Sequence, residues 1–114
     1  MNRGEIWHVN LDPGRGAEQK KTCPVVIISN DAIGKLPLKV IVPLTGWKDH
    51  YENVPWMVKV VPDRFNRLEK VSAADAFQVR SVSVERFGAQ AEGYLTKDLM
   101  DQIIEAVATV ISEF

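Results

Sequence analysis

The chain is short of the residues that build disulfide and metal sites. Its 114 residues contain one cysteine and two histidines, so an internal disulfide is impossible and metal sites built on several cysteines are excluded. His8 and His50 lie far apart in sequence, which argues against a zinc site. No apolar run approaches the length of a membrane span, and Met1-Asn2-Arg3-Gly4-Glu5 lacks the apolar core of a secretion signal. The expected location is the cytoplasm, with no membrane partner. A strong charge of one sign is also missing. The net charge is −1, with 46% hydrophobic and 25% charged residues, ordinary globular values that leave no case for disorder. At this length, residues 1–114 are expected to form a single domain with its own core.

The charges that are present are unevenly placed. Residues 81–114 hold two cations against six carboxylates, a net −4, which leaves +3 on residues 1–80. A basic face opposite an acidic helix would permit RNA binding despite the overall balance, although charge alone reads first as solvated surface.

Glu5–Leu11 alternates Trp7, Val9 and Leu11 with Ile6, His8 and Asn10, the period of a half-buried strand with the first set inward. Gly14 to Pro24 is a polar, glycine-hinged loop carrying Arg15, Glu18, Gln19, Lys20 and Lys21. It leads straight into the apolar strand Pro24–Ser29, so a cationic flap hangs on a fixed exit point. Asn30 and Asp31 suit a helix cap and Gly34 a helix end. Further strands are expected over Leu38–Leu44, broken by Thr45-Gly46, over Trp56–Val61, from Val71 through Phe77, from Gln78 to Val82, and over Phe87–Tyr94 as a short edge. Polar loops or turns separate them. From Thr96 the spacing of Leu99, Met100, Ile103, Ile104, Val107, Ala108, Ile111 and Phe114 predicts one amphipathic helix, capped by Thr96 with Asp98 at its positive end. Short strands followed by one helix give an α+β domain on a small curved β-barrel.

Five segments in order, Arg3-Gly4-Glu5-Ile6-Trp7, Leu11-Asp12-Pro13, Gly16-Ala17-Glu18-Gln19, the run from Pro24 to Asp31, and Val42-Pro43-Leu44-Thr45, resemble the MazF/PemK toxins of bacterial toxin–antitoxin pairs. That resemblance spans nearly the whole chain. It implies an SH3-like β-barrel of MazF/PemK type, related to that of CcdB, with the C-terminal helix, working as a homodimer. The implied activity is metal-independent endoribonuclease cleavage of single-stranded RNA, without cofactor, restrained by a cognate antitoxin. The 2′-hydroxyl would attack the adjacent phosphorus, which requires proton transfer and donors for the phosphorane's charge. In the family an Arg before Pro supplies charge there, and a Thr at the end of the third strand donates to the same oxygens; Thr45 matches the Thr.

Cys23 stands where the family has that Arg. A thiol offers no planar fork, no permanent charge and only a weak donor. Three readings stay open: Cys23 inactivates the nuclease, a cation such as Arg15, Lys20 or Lys21 replaces the charge, or Cys23 is itself a nucleophile or base. Arg15, Glu18, Gln19, Lys20, Lys21, Gln78 and Arg80 are the candidate RNA-binding residues. Trp47, Tyr51 and Trp56 are candidates for base stacking, Trp56 reading first as core. Two further functions remain alternatives, a gyrase-poisoning toxin on the same fold and a catalytically dead RNA-binding protein.

Overall fold

A computed structural model describes residues 1–18 and 21–113. Seven strands are found, β1 (Glu5–Asn10), β2 (Thr22–Ile27), β3 (Leu38–Gly46), β4 (Met57–Val60), β5 (Ser72–Asp75), β6 (Arg80–Ser83) and β7 (Phe87–Tyr94), followed by one helix, α1 (Lys97–Ile111). All pairings are antiparallel. The sheet runs β4-β5-β3-β2-β1-β7, and β6 also pairs with β3.

The central strand, β3, serves two partners along one edge. Leu38–Ile41 pairs with β6 and Leu44–Gly46 with β5. Pro43 falls between the two paired stretches, where a missing N–H costs no ladder bond. Pro24 likewise lies just before Val25, the first β2 residue paired with β3. The expectation that Thr45-Gly46 would break the third strand is corrected: Thr45 pairs with Ala73 and Gly46 with Ser72. Polar and glycine residues ended the apolar run in the sequence, but the ladder to β5 carries the strand through them.

Period-two alternation sorts side chains onto two faces, and both faces are covered. Trp7, Val9, Leu11, Val25, Ile27, Ile41 and Val82 form one apolar cluster. On the other face Ile6, Val26, Val42, Leu44, Val58 and Val60 pack beneath Met100, Ile103 and Ala106 of α1. Strand β1 is therefore buried on both sides in its first half. Ile6, expected to face outward, is fully buried because the helix covers its side.

Thr96 caps α1, its hydroxyl accepting from the Leu99 N–H, and Leu95 and Met100 are both buried at the helix entrance. The apolar stripe ends earlier than its spacing implied. Ala106 is buried whereas Ala108 is exposed and Ile111 is 71% exposed, because the last turn runs past the sheet. Phe114 lies outside the described residues. The expected strand from Val71 through Phe77 is also shorter than its apolar run. It stops at Asp75, whose Oδ1 accepts from the Phe77 N–H at 3.1 Å and turns Ala76–Gln78 into a single 3-10 turn.

Candidate nucleic-acid interface

The strand registers decide which side chains share the functional face. Cys23 pairs with Val9 across β1 and β2, and Val25 with Pro43 across β2 and β3. Continuing the second register by two residues sets Cys23 opposite Thr45. Arg80 of β6 pairs with Ile41 of β3. Directly opposed residues in an antiparallel pair point the same way, so Cys23, Pro43, Thr45 and Arg80 belong to the face that carries Val9 and Leu11.

A cleft of about 850 Å³ opens on this face, and Leu11, Glu18, Pro43, Gln78 and Arg80 are among its lining residues. The loop before β2 forms one wall. Its two ends are pinned by polar contacts: Arg86 Nη1 donates to the carbonyls of Asn10 (3.1 Å) and Asp12 (2.7 Å), and Asp12 Oδ1 accepts from the Lys21 N–H at 2.7 Å. Gly16 takes a left-handed φ of 59° at the turn, a conformation open to glycine at little cost. Glu18 closes that turn, with Oε1 accepting from the Arg15 N–H at 2.8 Å. Across the cleft, Gln78 Nε2 donates to the Ala17 carbonyl at 3.3 Å and to Asp75 Oδ2 at 3.2 Å, tying the loop to the 3-10 turn.

The candidate residues therefore divide. Glu18, Gln78 and Arg80 line the cleft, and Cys23 and Thr45 sit on the same sheet face beside it. Arg15 and Lys21 have exposed side chains outside the lining. Gln19 and Lys20 lie outside the described residues. Among the described residues Arg80 is the single cation in the lining, and neither its guanidinium nor the Thr45 hydroxyl is engaged in a hydrogen bond or ion pair. The contact between Arg80 and Glu85 that sequence proximity permits is not formed.

Cys23 is half-buried against the apolar cluster of Trp7, Val9 and Leu11. Burial there pushes its thiol up from an ordinary 9.0 to about 11. At neutral pH it is a neutral thiol, unsuited to act as nucleophile or base. Nor does a histidine assist it. His8 alternates to the opposite sheet face and holds Glu92 Oε1 at 3.2 Å through Nδ1, while His50 packs against Tyr51. A raised thiol with neither His8 nor His50 turned toward it weighs against Cys23 as nucleophile or base, and leaves the inactivating substitution and the replacement cation as the other two readings.

Of the far wall, sequence reasoning named Trp56 and missed Asp75 and Phe77. Trp56, Asp75 and Phe77 line the cleft beside Gln78. Trp56 packs on the core as expected, and it also stands edge-on to Phe77, with ring centroids 5.3 Å apart at 61°. Trp47 and Tyr51 pack on each other and take no part in the lining. The available signal for the wall was Asp75 within an alanine-rich run, two residues before Phe77, which is the spacing of a side chain capping a turn.

Residues 2–111 match the family of PemK-like, MazF-like toxins of type II toxin-antitoxin systems. The chain belongs to that family. It is 34% identical over 92 residues to endoribonuclease MazF9 of Mycobacterium tuberculosis, covering 75% of each chain. With endoribonuclease PemK of Escherichia coli the identity is 26% over 113 residues, covering 98% of this chain and 83% of the relative. Solved structures share the fold. MazF from Deinococcus radiodurans aligns with a TM-score of 0.79 at 20% identity, covering 97% of this chain and 96% of that one. A mycobacterial endoribonuclease in complex with its cognate antitoxin aligns at 0.74 and 23% identity, covering 97% and 94%. The MazF-type fold, α+β with seven antiparallel strands and a C-terminal helix, is thus the fold expected from the sequence.

Proposed function

We propose that this MazF/PemK-family toxin binds single-stranded RNA in the cleft beside Thr45 and Arg80, and that its metal-independent endoribonuclease activity is disabled by Cys23. One observation carries the reading: Thr45, Arg80 and position 23 share one face of the sheet, next to an open cleft. There an attacking 2′-hydroxyl, the scissile phosphate and a donor can meet. Thr45 contributes a free hydroxyl to the non-bridging oxygens, and Arg80 a permanent positive charge. A guanidinium at position 23 would complete the cradle; the neutral thiol leaves a developing oxyanion one donor short, a loss of about 10²–10³ in rate.

A cognate antitoxin occupying the same groove and a homodimeric assembly complete the proposal, together with a cytoplasmic setting. Among the described residues, no helix is long and apolar enough to cross a membrane. The gyrase-poisoning alternative gains no support from the curated relatives, which are named endoribonucleases.

The test is to incubate the protein and its Cys23→Arg variant with a long RNA in EDTA and map the ends. Cleavage by the Arg variant alone is expected, and Thr45→Val in that background should abolish it. If neither form cuts, the nuclease reading fails. Sedimentation analysis checks the dimer, for which a species of twice the chain mass is expected.

A further inference from the structure

The cleft contains an aromatic group whose ring packs on one neighbour and otherwise faces the opening. Phe77 is 60% exposed, and among the described residues it is the one large apolar side chain that is both well exposed and part of the cleft lining. Its backbone is fixed in the turn and its ring is contacted on one edge. Its own N–H is fixed by Asp75 Oδ1 at 3.1 Å, the Val79 N–H closes the turn onto the Ala76 carbonyl at 3.3 Å, and Trp56 braces the ring edge-to-face. Trp56 is in turn anchored on the core beneath α1. A rigid aromatic face costs little further entropy when a flat ligand lies on it, and an unpaired base has such a face.

The second observation is charge. Among the described residues Arg80 is the one cation of the lining, and it stands three residues beyond Phe77 with its guanidinium uncommitted. A planar apolar surface beside one free cation fits a nucleotide, with the base on the ring and a flanking phosphate on the guanidinium. We propose that Phe77, braced by Trp56, is the stacking platform for one unpaired base of the RNA that enters this cleft. The inference rests on the proposed function, since it names a contact within that RNA site.

Affinity for a short, dye-labelled 2′-O-methyl RNA, which cannot be cut by 2′-hydroxyl attack, separates the two ideas. Fluorescence anisotropy is measured over a series of salt concentrations for the parent chain, Phe77→Leu, Phe77→Tyr and Arg80→Gln. Losing a stacked base should weaken Phe77→Leu by on the order of 10-fold. The slope of log affinity against log salt should stay that of the parent, because no ion pair is lost, and Phe77→Tyr should bind as the parent does. Arg80→Gln should instead flatten the slope. Parent-like binding by Phe77→Leu overturns the platform and leaves the RNA site standing; such a result would point to a peptide as the occupant of the aromatic wall. A loss that Phe77→Tyr does not rescue, or one accompanied by a changed slope, also overturns it. Failure of the parent to bind any RNA removes both the platform and the site it belongs to.

Discussion

In the proposed site the side chain at position 23 decides whether the phosphate cradle is complete, and the burial that holds the Cys23 thiol protonated makes that side chain measurable. The folded protein holds the Cys23 proton up to about pH 11, against an ordinary 9.0, because the surrounding apolar cluster disfavours the thiolate. Alkylation by iodoacetamide should therefore be slow from pH 7 to 9, and should accelerate only as pH nears 11 or when the chain unfolds. The linked effect on stability follows from the direction of the shift. Below about 9 both states keep the proton and stability from this group is fully present. Between about 9 and 11 the unfolded chain releases the proton first, so stability falls as pH rises. Urea midpoints measured across that window should drop more for the parent than for Cys23→Ala, and parallel curves would refute the assignment. Thr45 and Arg80 were singled out through the family resemblance, since a strand-end threonine and a strand arginine by themselves read as local structure and solvated surface. Phe77 was not, since an aromatic after three alanines looks like core until the Asp75 cap turns it outward.

Elements were easier to read than their ends. Alternation marked β1 and β3, a continuous apolar run marked β2, and the helical spacing marked α1, because each pattern is set by local geometry that any burial must respect. Ends depend on partners that lie far away in sequence: β5 extends β3 through Gly46, and the sheet simply stops beneath the last turn of α1. Ile103 and Ile111 test this last point. Ile103 is fully buried between helix and sheet, whereas Ile111 is 71% exposed. Ile103→Ala should cost about 2–5 kcal/mol, and Ile111→Ala less than about 0.5 kcal/mol, read from chemical denaturation. Strand β7 supplies a second test. A Cβ at Gly93 would lie 2.5 Å from the Asn66 carbonyl oxygen and 2.8 Å from that of Phe65. Both obstacles are backbone, and Asn66 is itself locked in place: it is 1% exposed, with Nδ2 donating to the Val61 carbonyl and Oδ1 accepting from the Asp63 and Leu68 N–H groups. The loop cannot retreat cheaply. Gly93→Ala should destabilise by about 1–3 kcal/mol, while Gly16→Ala, with open space around it but a left-handed φ, should lose only the smaller cost of backbone strain.

Over the whole molecule, the charge balance sets how the proposed RNA binding should respond to salt. A net −1 protein gains nothing from its overall field, and the −4 of residues 81–114 repels a polyanion that approaches the helix side. Attraction must come from the +3 half, and within the cleft from Arg80 alone among the described lining residues, with the exposed Arg15 and Lys21 close by in sequence to the Glu18 wall. So few cations can displace only a few counterions. With Z of about 2–3 phosphate contacts, and a slope near −0.7Z for single strands, log affinity should fall by roughly 1.5–2 for each tenfold rise in salt. A cleft that held RNA mainly by charge would respond much more steeply. A slope that gentle would assign the remaining affinity to contacts that salt does not screen, namely stacking and hydrogen bonds. Cys23→Arg should then do two things together, restoring cleavage and steepening the slope by about 0.7, one added single-strand phosphate contact. A variant that cuts RNA with an unchanged slope would place the new guanidinium away from the phosphate and break the link between cleft, charge and chemistry.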